Sequence, residues 1–107
     1  MDYNYKFTPL AVQDIDESLT YISKSLSNPS AANDLYAAIS KEIESIQTFP
    51  YAYPDCSCFL IDDENIRHAV IGSYALIYEV SKKEALIKFL RFLYAGRDIS
   101  RTNIIPT

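Results

Sequence analysis

The chain has 107 residues and contains very little glycine, cysteine or histidine: two glycines, two cysteines and one histidine. So little glycine excludes a glycine-rich phosphate-binding loop, and nucleophile-elbow and paired-histidine motifs are absent as well. Two cysteines, Cys56 and Cys58, are too few for a disulfide scaffold. Together with His68 they also fall short of the four ligands that a zinc site usually requires. We therefore expect neither a metal site nor a cofactor.

Long apolar runs are absent too. No stretch approaches the roughly 18 to 20 apolar residues that span a membrane. The opening sequence MDYNYKFTP lacks the basic and then apolar pattern of a secretory signal. These features predict a cytoplasmic protein without membrane contact. The length of 107 residues is typical of one hydrophobic core, so we predict a single domain over residues 1–107.

The formal charge of −4 is distributed unevenly along the chain. Residues 1–64 contain three basic and eleven acidic side chains, whereas residues 65–107 contain seven basic and three acidic ones. A basic C-terminal segment can contact an anionic or acidic partner even in an acidic protein. The alternative is that these charges are ordinary solvated positions.

Two amphipathic helices are predicted in the first half of the chain. The first begins after Thr8, because threonine caps helices and Pro9 suits the first helical position. The second begins at Pro29, with Ser27 or Asn28 as its cap. Their apolar stripes recur at spacings of three and four residues: Val12, Ile15, Leu19, Ile22 and Leu26, then Leu35, Ile39, Ile43 and Ile46. The short turn between them predicts an antiparallel helical hairpin.

Period-two alternation predicts four strands. Tyr3, Tyr5 and Phe7 alternate with polar residues in the first strand, and the segments IRHAVI, YALIYEV and ALIKFLRFLY supply the other three. Gly72 and Ser73 separate two of these segments as a hairpin turn would. The order predicts an α+β domain: an N-terminal strand, and an antiparallel helical hairpin packed on a small sheet that a C-terminal three-stranded antiparallel meander completes.

Four segments of the chain carry a family resemblance. They are YKFTPLAVQDIDESLTYI, a second helix ending in FP, IGSYALIYEV and IKFLRFLYAGRDI. In this order and spacing they resemble the RelE/ParE toxins of bacterial type II toxin–antitoxin systems, of the plasmid-stabilisation type. The resemblance covers nearly the whole chain. It implies a growth-inhibiting protein neutralised by a cognate antitoxin, and it is compatible with a homodimer or a toxin–antitoxin hetero-oligomer.

The resemblance implies one of two targets. RelE-like members cut messenger RNA on the ribosome and need groups that stabilise phosphate charge and transfer protons. In those members an arginine follows the tyrosine of the penultimate strand, and a second arginine and a tyrosine lie near the chain end. Here Ala75 occupies the first position, Arg97 matches the later arginine, and no tyrosine follows Tyr94. ParE-like members poison DNA gyrase by binding, so the sequence favours that class, as does its acidity, because ribosomal RNA favours basic surfaces.

Arg91 interrupts the apolar run FLRFL in the last predicted strand. If Leu86, Leu90 and Phe92 face the helices, Arg91 lies on the opposite face among apolar side chains: Ile87, Phe89 and Leu93. An apolar face that carries one arginine is typical of a partner-binding surface. The alternative is a cross-strand ion pair between Arg91 and Glu79.

The remaining candidate residues follow from position and chemistry. If the protein is a ribonuclease, its catalytic residues are predicted to be Arg97, Arg91 and His68. His68 could serve as an acid or base near neutral pH, or be structural. The predicted partner-binding residues are Arg67, Tyr51, Tyr53, Arg91, Arg97 and Arg101; for Arg97 and Arg101 the alternative is a solvated terminus.

Expectations can be stated for four of the nine tyrosines. Tyr51 and Tyr53 stand in a proline-flanked loop and are the expected exposed aromatics. Tyr74 and Tyr78 share a strand face with Leu76, which predicts core positions with hydroxyls at the rim.

Three functional hypotheses remain. The first is a toxin that acts by binding DNA gyrase, and the second is a ribosome-dependent messenger RNA endoribonuclease with a non-standard residue set. The third is a non-toxic member that binds an antitoxin and has a regulatory role.

Overall fold

A computed structural model describes residues 3–54 and 65–94. Its elements are β1 (Asn4–Phe7), α1 (Pro9–Thr20), a π-helical turn (Tyr21–Ser25, the π-turn), α2 (Pro29–Thr48), β2 (Ile66–Ile71), β3 (Tyr74–Ser81) and β4 (Leu86–Tyr94). The strands form one mixed sheet in the order β1-β4-β3-β2. Two helices on a four-stranded sheet confirm the predicted α+β class.

Both helices begin where the sequence predicts. The Thr8 hydroxyl accepts a hydrogen bond from the Ala11 amide at 3.1 Å and donates one to the Leu90 carbonyl at 2.9 Å. The Asn28 side chain accepts from the Ala31 amide at 3.1 Å, so Asn28 rather than Ser27 is the cap. Each cap satisfies an amide that has no partner within its helix.

The apolar stripe of α2 is confirmed, whereas that of α1 is only partly right. Ile39, Ile43 and Ile46 are buried in the core. In α1 the buried residues are Ala11 and Asp14, while Val12 is 55% exposed. The stripe is displaced because Thr8 anchors the first turn to β4 and sets which side of α1 faces the sheet.

The predicted end of the α1 stripe is also wrong, because the α-helix gives way to a π-helical turn after Thr20. In the π-turn the Leu26 amide donates to the Tyr21 carbonyl five residues earlier, at 3.1 Å, which widens the turn. Leu26 was expected on the buried stripe but is 56% exposed, and Tyr21 is exposed as well.

The meander forms as predicted. β2 pairs antiparallel with β3, and β3 pairs antiparallel with β4, while Gly72 occupies the connecting turn with a positive φ of 60°. β1 pairs parallel with β4, so the N-terminal strand completes the sheet beside the C-terminal one.

A bulge in β4 overturns the predicted division of faces. Ile77 pairs with Arg91 and Tyr78 pairs with Phe89, so Leu90 is an additional residue between them. An extra residue reverses the alternation of side chains beyond it. Phe92 faces the core as predicted, but it does so together with Ile87 and Phe89 rather than with Leu86 and Leu90.

The core lies between the helices and one face of the sheet. Tyr78 is fully buried there, and its hydroxyl donates to the Pro50 carbonyl at 2.7 Å. The prediction that Tyr78 is a core residue is confirmed, but its hydroxyl is inside rather than at the rim. Tyr74 is half-buried and stacks on Phe92, with ring centres 4.7 Å apart. Within the described ranges, no helix combines the length and apolar content needed to cross a bilayer.

Candidate functional site

The two layers of the fold carry opposite charge. The helical layer, residues 9–48, contains six acidic and two basic side chains. Residues 65–94, which form β2, β3, β4 and their turns, contain five basic and two acidic side chains. The asymmetry along the sequence is thus an asymmetry between layers. A polyanion such as RNA would be repelled by the helical layer.

Arg91 is held by Asp14 across the interface between α1 and β4. Its Nε donates to Asp14 Oδ2 at 2.6 Å and its Nη2 donates to Asp14 Oδ1 at 2.9 Å. Both side chains are mostly buried, at 15% and 10% exposure. The hydrogen bond to Asp14 raises the pKa of the Arg91 guanidinium. A bidentate ion pair of this kind fixes the orientation of the arginine side chain.

Asp14 also completes the edge of β4. β1 ends at Phe7, beside Phe89, and among residues 3–54 and 65–94 no other strand pairs with the remainder of β4 on that side. Asp14 Oδ2 accepts the Phe92 amide at 3.0 Å and so satisfies a buried donor there. The alternative pairing of Arg91 with Glu79 is wrong, because Glu79 pairs in register with Lys88.

Arg67 brings three predicted partner-binding residues together. Its Nη1 donates to the Tyr53 carbonyl at 2.9 Å and to the Tyr51 carbonyl at 3.4 Å. Its guanidinium carbon lies 5.0 Å from the centre of the Tyr51 ring, and Lys82 Nζ lies 4.8 Å from the same centre. Cation–π contacts of this kind contribute about 0.5 to 1 kcal/mol each at exposed sites. Arg67 therefore ties the segment after α2 to β2.

Tyr51 and Tyr53 are less exposed than expected. Both are half-buried and pack against the core. The Tyr51 hydroxyl donates to Asn65 Oδ1 at 2.9 Å. Burial, followed by a hydrogen bond with Glu42, raises the pKa of Tyr53 above its ordinary value. The prediction that these two tyrosines are exposed is therefore wrong. Arg67 of β2 donates hydrogen bonds to the backbone carbonyls of both residues and holds them against the sheet.

His68 and Arg91 do not lie side by side. His68 pairs with Ile77, and Ile77 pairs with Arg91, so one strand separates them. With neighbouring strands about 4.8 Å apart, their backbones are roughly 10 Å apart. His68 is buried, and its amide donates to the Pro54 carbonyl at 3.1 Å. Arg97 and Arg101 lie outside the described residues, so the catalytic and partner-binding sets stay predictions.

Ala75 occupies a confined position in the sheet. It is 1% exposed and lies between Val70 of β2 and Leu93 of β4. An arginine at this point would enter a buried, apolar neighbourhood. The small side chain is therefore matched to its packing.

An open groove of about 730 Å³ lies between one side of the fold's helical layer, formed by α1 and the π-turn, and one end of the sheet, where β3 begins and β4 ends. Its walls include Tyr21 and Leu26 from the π-turn region and Tyr74, Phe92 and Tyr94 from the strands, with Glu17 on the acidic side.

Sequence reasoning missed this groove because Leu26 was assigned to the core. It also missed Asp14, because the predicted apolar stripe began at Val12, whereas the buried residues of α1 are Ala11 and Asp14. Among residues 3–54 and 65–94, no group of three or more His, Cys, Asp or Glu side chains is placed to hold a metal ion.

Comparison with known proteins agrees with this architecture. Residues 5–99 match the family model described as the ParE toxin of the type II toxin–antitoxin system parDE. No curated protein matches the chain significantly.

Two solved structures are similar in fold. One is a chromosomal ParDE toxin–antitoxin system from P. aeruginosa, with a TM-score of 0.67, 17% identity, and coverage of 86% of this chain and 95% of that one. Another is the toxin–antitoxin complex RelBE2 from Mycobacterium tuberculosis, with a TM-score of 0.61, 17% identity, and coverage of 88% and 99%. The family model spans most of the sequence, and the fold agrees with it. The chain belongs to the ParE toxin family of type II toxin–antitoxin systems.

Proposed function

We propose that this toxin arrests bacterial growth in the cytoplasm by binding DNA gyrase, and that a cognate antitoxin protein neutralises it. Such a module would serve plasmid stabilisation. The Mycobacterium tuberculosis neighbour is a toxin–antitoxin complex, which supports an antitoxin as a partner here too.

The observation that carries the choice of target is Ala75. The messenger-cleaving relatives place an arginine at this position, where its charge can stabilise a phosphate in the transition state. Here the residue is buried between Val70 and Leu93. A toxin that acts by binding needs no such charge, so the residue is compatible with gyrase as the target.

The environment of Arg91 supports the same choice. Both of its described donor groups bind the carboxylate of Asp14. Using this arginine to stabilise a scissile phosphate would require that carboxylate to release it. A structural role for Arg91 has no such cost.

Controlled expression of the chain in bacteria tests the proposal. Gyrase poisoning predicts growth arrest with chromosomal double-strand breaks and a DNA-damage response. In a purified assay, gyrase, supercoiled plasmid, ATP and this chain should yield linear DNA after detergent and protease treatment. Transcripts cut within reading frames, without DNA breaks, would instead establish the ribonuclease. The absence of arrest at confirmed expression would establish the non-toxic regulatory member.

Arg97→Ala tests the residue assignment separately. We expect it to reduce toxicity when the circular dichroism spectrum is unchanged. Lys41→Ala, at an exposed position on α2, is the matched control and should remain fully toxic. Full toxicity of Arg97→Ala would contradict the role given to Arg97 under either toxic mechanism.

A further inference from the structure

We propose that the groove beside the π-turn receives an amphipathic segment of the antitoxin, which places an apolar side chain between Tyr21 and Tyr74 and a lysine or arginine against Glu17. This inference rests on the proposed function, because it assigns the partner of a protein that acts as a toxin.

The groove has the surface chemistry of a protein-binding site. Tyr21, Leu26 and Tyr94 are 54%, 56% and 53% exposed and converge on it, while buried Phe92 forms part of its floor. Tyrosines concentrated in one depression supply large contact area at low conformational cost, as in binding hot spots. Water that covers these rings would be released by an apolar side chain of a partner.

The π-turn produces this exposure. A continuing α-helix would place Leu26 on the predicted buried stripe, whereas the wider turn directs it to the groove. π-helical turns inside helices are rare and occur often at functional sites. The π-turn therefore lies at the point where Tyr21 and Leu26 are exposed to the groove.

Charge selects the kind of occupant. Asp14 is paired with Arg91, whereas Glu17 is exposed on the described groove wall. Its Oε1 accepts from Gln13 Nε2 at 2.9 Å, and its other carboxylate oxygen can meet a partner. The helical layer around it is acidic overall. A basic side chain on the partner would gain both from Glu17 and from this wider field, which steers association. Nucleic acid would be repelled by the same field.

A second copy of this chain is a poorer fit than a basic partner. In a two-fold dimer the same surface occupies both sides of the interface. Two grooves facing each other would bring Glu17 and the acidic helical layers together, without lysine or arginine in the described groove walls to oppose them. The antitoxin is free of this constraint.

The test measures binding of the purified toxin to the protein encoded by the reading frame adjacent to its gene. Glu17→Lys and Tyr21→Ala should each raise the Kd at least tenfold, as a central interface residue does. Asp16→Lys and Tyr36→Ala are the matched controls, because both positions are exposed on the helices and do not line this groove. They should bind within about twofold of the natural chain, judged against the tenfold loss in the groove variants. Urea unfolding of all four variants should give midpoints close to that of the natural chain.

Three outcomes would overturn the groove assignment. One is unchanged Kd for both groove variants. Another is an Asp16→Lys effect as large as that of Glu17→Lys, which would mean that only net charge matters. The third is a dimer in sedimentation experiments that the groove variants dissociate, which would make a second copy the occupant.

The proposed function fails in a different way. If the natural chain causes no growth arrest, gyrase poisoning is wrong whatever the groove binds. If it arrests growth and binds the adjacent product equally after Glu17→Lys and Tyr21→Ala, only the groove assignment is wrong. Growth arrest without any binding of the adjacent product would contradict the antitoxin part of the proposed function as well.

Discussion

Replacing Asp14 with asparagine should destabilise the fold more than any other single change of a charged residue on α1. The substitution keeps the shape of the side chain but removes the charge that Arg91 faces. It also replaces one carboxylate oxygen with a donor, although Asp14 Oδ1 and Oδ2 together accept from Arg91 and from the Phe92 amide. At least one of these bonds must be lost.

The expected magnitude follows from the burial of the pair. Breaking a buried ion pair by removing one partner costs about 3 to 5 kcal/mol, because the other charge stays buried without compensation. The two side chains retain 15% and 10% exposure, which allows some hydration. We therefore expect a loss near the lower limit, about 3 kcal/mol, or roughly 12 to 20 °C in Tm.

Urea unfolding followed by circular dichroism measures this loss. Asp16→Asn is the control, because Asp16 is exposed on the same helix, and it should change the free energy of unfolding by less than about 0.5 kcal/mol. Combining Asp14→Leu with Arg91→Met should cost less than the sum of the single changes, since neither charge is then left buried alone. A loss below about 1 kcal/mol for Asp14→Asn would refute the reasoning and make the contact equivalent to a surface pair.

Three further predictions concern buried or half-buried positions. Burial raises the pKa of Tyr53, so with rising pH its phenol loses its proton in the unfolded chain before it does so in the folded one. The contribution of the neutral phenol to the free energy of unfolding is therefore complete below about pH 10 and is lost as the pH rises above it. Urea unfolding between pH 9 and 11 should show that Tyr53→Phe removes this part of the alkaline loss; an unchanged slope would contradict it. Ala75→Arg should cost roughly 3 kcal/mol through overpacking and an unpaired charge, while Val70→Arg, at a 65% exposed position beside it, should cost less than about 0.5 kcal/mol. Full stability of Ala75→Arg in urea, with gain of messenger cleavage, would show that the missing arginine alone separates this chain from a ribonuclease. Tyr78→Phe should cost about 1 to 1.5 kcal/mol in the same assay by leaving a buried carbonyl unpaired, whereas Tyr36→Phe, at an exposed position, should cost nothing measurable; equal effects would be contrary to expectation.

Local features were predictable because their causes are local. Thr8 and Asn28 cap helices through amides three residues away, so the sequence around each cap contains all the interacting groups. The bounds of β2 follow the segment IRHAVI for the same reason. Alternation and turn residues act within a few positions of each other.

Candidate-site features depended on distant residues and were harder to predict. Arg91 and Asp14 are 77 positions apart, and no periodicity in either segment relates them. The additional residue at Leu90 has no signal in the apolar run, because each residue there fits a strand equally well. The predicted faces were therefore wrong for Ile87 and Phe89, before the additional residue, and right for Phe92, after it.

The sequence by itself determined the order of helices and strands, their starting points and the family. Tertiary structure decided that Asp14 faces Arg91, that Ala75 is enclosed, and that Leu26 and Tyr21 open onto a groove. The physical reason is the distance along the sequence between the groups that interact. Caps, turns and alternation depend on groups a few residues apart, whereas a parallel strand, a bulge and a buried ion pair are selected by the free energy of the whole packed domain.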